Sequence, residues 1–236
     1  MARIDGSDAW MPVGTESLAT SADEWLGKFE AALAEPDDAL LGALFHPDSH
    51  WRDVLALTWR IKTVSGLSAI AKELKVHAAR AKPAGFRSDP RRTAPRRVMR
   101  AGTGAIEAIF KFETAVGRGS GVVRLIPDAN DGGKLKAWTL LTALEALKGY
   151  EEHLGKTRPK GEAYSRDFRG PNWLDLRQSS ARYEGRDPVV LVVGGGHAGL
   201  SMAARLVQLG VDSLTVDRGR RSGDNGRKRD HALTWH

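Results

Sequence analysis

Three glycines and one acid carry the sharpest chemical signal in the chain: Gly194, Gly196 and Gly199, in the run Gly194-Gly195-Gly196-His197-Ala198-Gly199, and Asp217 further along. Each glycine has a separate steric task. Gly194 permits a tight turn, Gly196 lets backbone approach a pyrophosphate, and Gly199 lets a helix pack close on the preceding strand. The acid would accept hydrogen bonds from a pair of ribose hydroxyls. Together these residues describe a cradle for the phosphates and ribose of a dinucleotide. His197 takes an outward-facing position in the turn, which makes it a neighbour of the cofactor and not a catalyst.

Such a cradle works only when a strand delivers the turn and a helix leaves it. Val189 to Val193 are consecutive apolar residues without polar alternation, which predicts a strand buried on both faces. Leu200, Ala203, Ala204 and Val207 recur at helical spacing, so a helix is expected from about Ala198 to Leu209, ending at Gly210. Its N-terminus faces the turn, where unpaired N–H groups and the helix dipole favour a phosphate by about 0.3–1 kcal/mol. Ser213 to Val216 reads as a second strand with Asp217 at its carboxyl end. Strand, glycine turn, helix, strand and acid in that order are far more specific than the glycines alone.

A second group of side chains, His46, Asp48, His50 and Asp53, offers acid–base or metal chemistry by composition. Their spacing matches no metal motif, and Pro47 among them predicts a solvated surface turn. Trp51 and Trp59 are expected in core or linker packing. Between Arg80 and Arg100 the chain carries eight arginines and lysines against the single acid Asp89. Nucleic acid would suit that charge. Yet Phe86 is the lone aromatic and three prolines interrupt the run, so a solvated loop is expected and nucleic acid is not the expected partner.

The 236 residues suffice for one or two domains, and a 41% hydrophobic content suffices for a core. The absence of cysteine excludes disulfides, thiolate metal sites and cysteine nucleophiles, and accords with a reducing, cytoplasmic setting. No apolar run approaches the ~20 residues of a membrane span, and the N-terminus lacks the apolar core of a signal peptide, so no membrane partner is expected. The net charge of +7 speaks to association with anions, not to fold.

Before the glycine turn the pattern changes twice. Residues 1–20 show no sustained period and read as a mobile leader. Ser21 and Glu24 make a capping-box pattern ahead of Trp25, Phe29 and Leu33, which share a helical face up to Pro36. Asp37 or Asp38 can cap a second helix through Phe45, and Leu67, Ile70, Ala71 and Leu74 mark a third towards Arg80. Then the period becomes two: Ile106, Ala108, Phe110, Phe112, Thr114 and Val116 share one face, with Glu107, Lys111 and Glu113 on the other. Val122 to Ile126 and Leu135 to Leu144 are two further strands joined by a turn at Asp128 to Gly133. Helices followed by a meander imply an α+β domain over 21–148. Residues 149–186 read as a linker with one short helix from Asn172 to Tyr183, ahead of the dinucleotide unit at 187–236.

Two resemblances follow from these residues. The helix-then-meander order over Ser21 to Lys148 resembles the nuclear transport factor two-like cone, also called polyketide cyclase-like, and the runs Trp51-Arg52-Asp53 and Leu57-Thr58-Trp59 look like those of flavin monooxygenases that carry such a domain before the FAD domain. The segment from the glycine turn onward resembles the flavin-containing monooxygenase family: Arg221, Gly223, Asp224, Asn225 and Arg227 match its segment near the flavin. Two positions depart from it, Gly226 where the family has Trp and Asp230 where an aromatic is usual, and both remove packing beside the cofactor. The fold implied is an α+β cone followed by a partial α/β Rossmann-type βαβ unit. The function implied is a flavin-dependent monooxygenase, with FAD held at Gly194, Gly196, Gly199, Asp217 and Arg218, and with Gly223, Asp224, Asn225 and Arg227 near its flavin. In that family NADPH is the reductant and binds at a second glycine motif. No second such motif occurs in the chain, so a truncated, poorly active form is expected. The alternative is a non-enzymatic cone that holds a small ligand or forms a homodimer, with a relic FAD-binding tail. No catalytic side chain or metal ligand is assigned.

Overall fold

The computed structural model describes residues 15–35, 37–158, 169–219 and 224, with backbone alone at 15–17 and 38. Contacts divide the chain into two compact units, Met1–Gly149 and Tyr150–His236. Each is built on its own logic.

In the first unit, α1 (Thr15–Ala34) buries Leu18, Ala22, Trp25, Leu26, Phe29, Ala32 and Leu33, spaced every three or four residues. Ser21 therefore lies inside this helix and does not begin it, because the apolar stripe continues back through Ala22 to Leu18. Asp37 caps α2 (Asp38–Leu44), its carboxylate accepting the Ala39 N–H at 2.9 Å. The third helix, α3 (Leu67–Ala81), buries Ile70, Ala71, Leu74 and Ala78.

Seven strands form one sheet: β1 (Phe45–Val54), β2 (Ile61–Ser65), β3 (Ala84–Ser88), β4 (Arg96–Arg100), β5 (Thr103–Glu113), β6 (Gly117–Asp128) and β7 (Lys134–Leu147). Their order is β2-β1-β7-β6-β5-β3, with β4 also paired to β5. All pairs are antiparallel except β1 with β7. Two sequence expectations are corrected here. The basic run from Arg80 to Arg100 is not one loop, since α3 runs on to Ala81 and β3 and β4 carry two five-residue stretches of it onto the edge of β5. Nor do His46 to His50 form a turn: they lie in β1, and the disturbance caused by Pro47, which cannot donate to the ladder, is confined to a register shift between Phe45 and His50.

Helices and sheet enclose a space filled by aromatic rings. Trp25 stacks on Phe29 with centroids 5.0 Å apart, Phe29 meets Phe86 edge-on at 5.3 Å, and Phe86 stacks on Phe112 at 4.9 Å. Glycine is required opposite them: a Cβ on Gly121 would lie 2.2 Å from both Leu141 O and Phe110 Cζ. The interior of this α+β cone is thus packed with aromatic side chains.

The second unit holds α4 (Trp173–Arg182), β8 (Val190–Val193), α5 (His197–Gln208) and β9 (Ser213–Val216), with β8 and β9 parallel. Asn172 caps α4 in a reciprocal box with Asp175, as its position in the sequence suggests. The expectation that β8 is buried on both faces does not hold. Val190 and Val192 are half-buried, whereas Leu191 is 56% and Val193 81% exposed, because α5 covers one face of the two-stranded sheet. Segments expected as linker are tied to this unit: the His153 N–H donates to Gln208 O at 2.7 Å and the Tyr183 hydroxyl to Asp212 at 2.8 Å, while Arg205 pairs with Glu152 and Arg186 with Asp212.

Candidate nucleotide-binding site

The glycine turn leaves the sheet at the carboxyl end of β8. The Gly194 N–H still donates to Val216 O at 2.8 Å, closing the ladder, and Gly194 then turns with φ 110°, a conformation disfavoured for any side-chain-bearing residue. Gly196 is the N-cap of α5 and supplies no side-chain acceptor, so no N-cap side chain occupies the first-turn N–H groups of the helix. At Gly199 a Cβ would sit 1.8 Å from Gly194 O and 3.5 Å from Val192. Helix and turn meet too closely for any side chain there.

Asp217 ends β9 opposite this turn. One carboxylate oxygen accepts the Gly195 N–H at 2.7 Å and the other the Gly219 N–H at 2.6 Å. The Gly195 bond, then that of Gly219, holds the Asp217 carboxyl below the usual carboxylate range, so it is anionic at neutral pH. A carboxylate offers about four lone-pair sites, and two remain for ribose hydroxyls. Val193, Gly194, Val216, Asp217 and Arg218 line an open cleft of about 350 Å³ at the carboxyl ends of both strands. This is where ligands bind in open parallel sheets. Asp224 lies close to Gly219 and opposes the Asp217 charge. Arg221, Gly223, Asn225, Gly226, Arg227 and Asp230 lie outside the described residues. His197 begins α5 and is exposed, as its place in the turn implies.

The structure separates the second group of candidates. His46, Asp48 and His50 point away from the core, and the His50 ring lies 2.8 Å from Ser65 Oγ across the β1–β2 pair. Asp53 alternates inward and is 1% exposed. Its carboxylate accepts Thr142 Oγ1 at 2.6 Å, Thr58 Oγ1 at 2.7 Å, and the N–H groups of Thr58 and Leu57 at 2.8 and 3.2 Å. Trp51 Nε1 donates to Thr142 Oγ1 at 3.0 Å. That network fastens the β1–β2 loop to β7. Trp51 is core, as expected, but Trp59 is 47% exposed and is not. Among the described residues no group of three His, Cys, Asp or Glu could hold a metal, and no helix is long and apolar enough to cross a membrane.

One residue the alternation hides is Glu107. Its face of β5 carries no helix, yet Glu107 is buried beneath Arg96, Arg100 and Arg124, whose nitrogens lie 2.9–3.5 Å from its carboxylate. Burial pushes its carboxyl up, but the hydrogen bonds from Arg124 and Arg96 and the charges of Arg124 and Arg100 outweigh this and lower it.

These features define a two-unit chain: an α+β helix-and-sheet unit, then a Rossmann-type βαβ unit with a glycine turn and an acid at the second strand. Residues 192–232 match the family model of the NAD(P)-binding Rossmann-like domain. No curated protein matches the chain. Among solved structures, a nuclear transport factor 2 (NTF2-like) superfamily protein from Salmonella enterica is similar at 15% identity, covering 64% of this chain and 100% of that one with a TM-score of 0.41. A putative isomerase from Bacillus subtilis is similar at 19% identity over 56% and 90% of the two chains, TM-score 0.36. A steroid delta-isomerase from Pseudomonas aeruginosa is similar at 16% identity over 59% and 87%, TM-score 0.33.

Proposed function

We propose that the second unit binds the ADP portion of a dinucleotide, FAD foremost, and that the chain is an oxidoreductase of the flavin-dependent monooxygenase type. The observation that carries the binding step is Asp217, anionic, held by two backbone N–H groups and facing the uncapped turn of α5 across a glycine loop in which Gly199 has no room for a side chain. In this arrangement Asp217 orients the ribose hydroxyls, the α5 N-terminus balances phosphate charge, and Gly199 holds helix and turn in contact. An anionic Asp217 repels a 2′-phosphate, which favours FAD or NAD over NADP at this turn; NADPH would need a site of its own. A bound flavin supplies the redox chemistry, accepting hydride and activating oxygen for transfer to a substrate. The monooxygenase assignment rests on the resemblance of Arg221 to Arg227.

Titration of the purified chain with FAD, NAD and NADP, followed by flavin fluorescence and calorimetry, tests the reading. FAD is expected to bind more tightly than NADP, and Gly199→Val to abolish binding. Equal affinity for all three, or binding that survives Gly199→Val, would sink it.

A further inference from the structure

On the helix-free face of the first unit, strand register places Arg87 beside Lys111 and Lys111 beside Ser120, one row across β3, β5 and β6. In the next row Glu113 faces Arg118. Asp89, Arg91 and Arg92, just past β3, wall this surface and leave a cleft of about 260 Å³. That volume lies below the ~300–1,000 Å³ of drug-sized ligand pockets and suits one or two phosphate groups.

Five cations line the cleft, Arg87, Arg91, Arg92, Lys111 and Arg118, against three carboxylates. All three carboxylates are engaged: Asp89 accepts the Arg91 N–H at 3.1 Å, Glu113 pairs with Lys148 at 2.9 Å, and Glu145 accepts Ser120 Oγ. The basic run singled out in the sequence is thereby divided. Arg96 and Arg100 are spent on Glu107 and Arg91 on Asp89, whereas Arg87, Arg92 and Lys111 make no close ion pair among the described residues, Arg87 and Lys111 acting on Glu113 and Asp89 only at longer range. Lys111 is the most telling of these, half-buried on an interior strand with a guanidinium-bearing neighbour in register. Two cations adjacent in register place their donors on one side of the sheet, where the oxygens of one phosphate can meet both.

We infer that this cleft binds a small, multiply charged phosphate-bearing anion, at a site separate from the glycine turn of the second unit. Arg87 and Lys111 form the floor contacts and Arg92 closes from the wall. Charge-assisted bonds from guanidinium and ammonium groups to phosphate oxygens are the strong class of hydrogen bond.

Calorimetric titration of the full chain with inorganic pyrophosphate reads this site. One saturable event is expected that survives Gly199→Val. It should weaken about tenfold or more in Arg87→Gln/Lys111→Met, the scale for losing charge-assisted bonds. Should that double variant misfold by circular dichroism, Arg92→Gln changes an exposed side chain outside the sheet and is expected to weaken binding severalfold. Affinity unchanged in the folded variants, or lost in Gly199→Val, overturns the inference. So does a single-stranded oligonucleotide that outcompetes pyrophosphate with a salt dependence spanning many phosphates, which would make the face a nucleic-acid surface.

Discussion

The first unit closes helices over a sheet around Trp25, Phe29, Phe45, Trp51, Phe110 and Phe112, all nearly or fully buried. In the second, none of the described residues is buried, and Leu191, Val193 and Val216 stand exposed on one sheet face. The difference separates two properties that are often found together. Stability resides where apolar area is removed from water, at roughly 25 cal/mol per Å². The recognisable chemistry resides in backbone geometry: a glycine turn, a helix start and an acid held by two N–H groups. A nucleotide cradle needs little core of its own, because its donors are main-chain groups already aligned by one strand and one helix.

The contrast is most exposed to native-state hydrogen exchange. Amides of β5, β6 and β7 are expected to exchange only through global opening, at about 5–15 kcal/mol, and those of β8 and β9 within about 2 kcal/mol. Equal protection in the two units would break the comparison. Next in size is Asp53→Ala, which strands four donors in the first unit and should cost about 3–5 kcal/mol in a denaturant titration. A loss below ~1 kcal/mol would mean that the Trp51–Thr142–Asp53–Thr58 network is not a fastener.

Glu107→Gln removes the shared partner of three arginines and should destabilise the first unit by about 1–3 kcal/mol, discounted for the exposure of those arginines. Asp217→Ala should weaken nucleotide binding roughly tenfold while leaving the unfolding midpoint of the first unit unmoved. A shift of that midpoint would show that the chemistry and the core are not separable. The smallest expected effect is in acid. Glu107 and Asp128, the latter held down chiefly by its bond from Lys136, both have lowered folded pKa values. Their stabilisation is complete above the unfolded carboxylate values of about 3.9–4.3 and is lost as pH falls through the folded ones. The Glu107→Gln protein should show a shallower decline below that range.

What the chain's residues determine by themselves is local. The glycine turn, the helix after it and Asp217 at the end of β9 are legible because steric permission and short-range periodicity fix them within about twenty-five residues of one another. The caps at Asp37 and Asn172 are legible for the same reason. Tertiary structure alone decides what depends on partners distant in sequence. The strand at Phe45–Val54 carries polar residues that mimic a turn, and only its pairing with β2 on one side and β7 on the other makes it a strand. Asp53 and Asp48 look alike in sequence, yet the alternation of β1 buries the first against Thr58 and Thr142 and leaves the second in water. Glu107 sits on the expected face of β5, but its burial depends on arginines from β4 and β6. The pairing of Arg87 with Lys111 arises only from sheet register, which joins a basic run to a strand that alternation would have assigned to solvent. A side chain's partners across a sheet are set by which strands meet and in what register, and no local period encodes that.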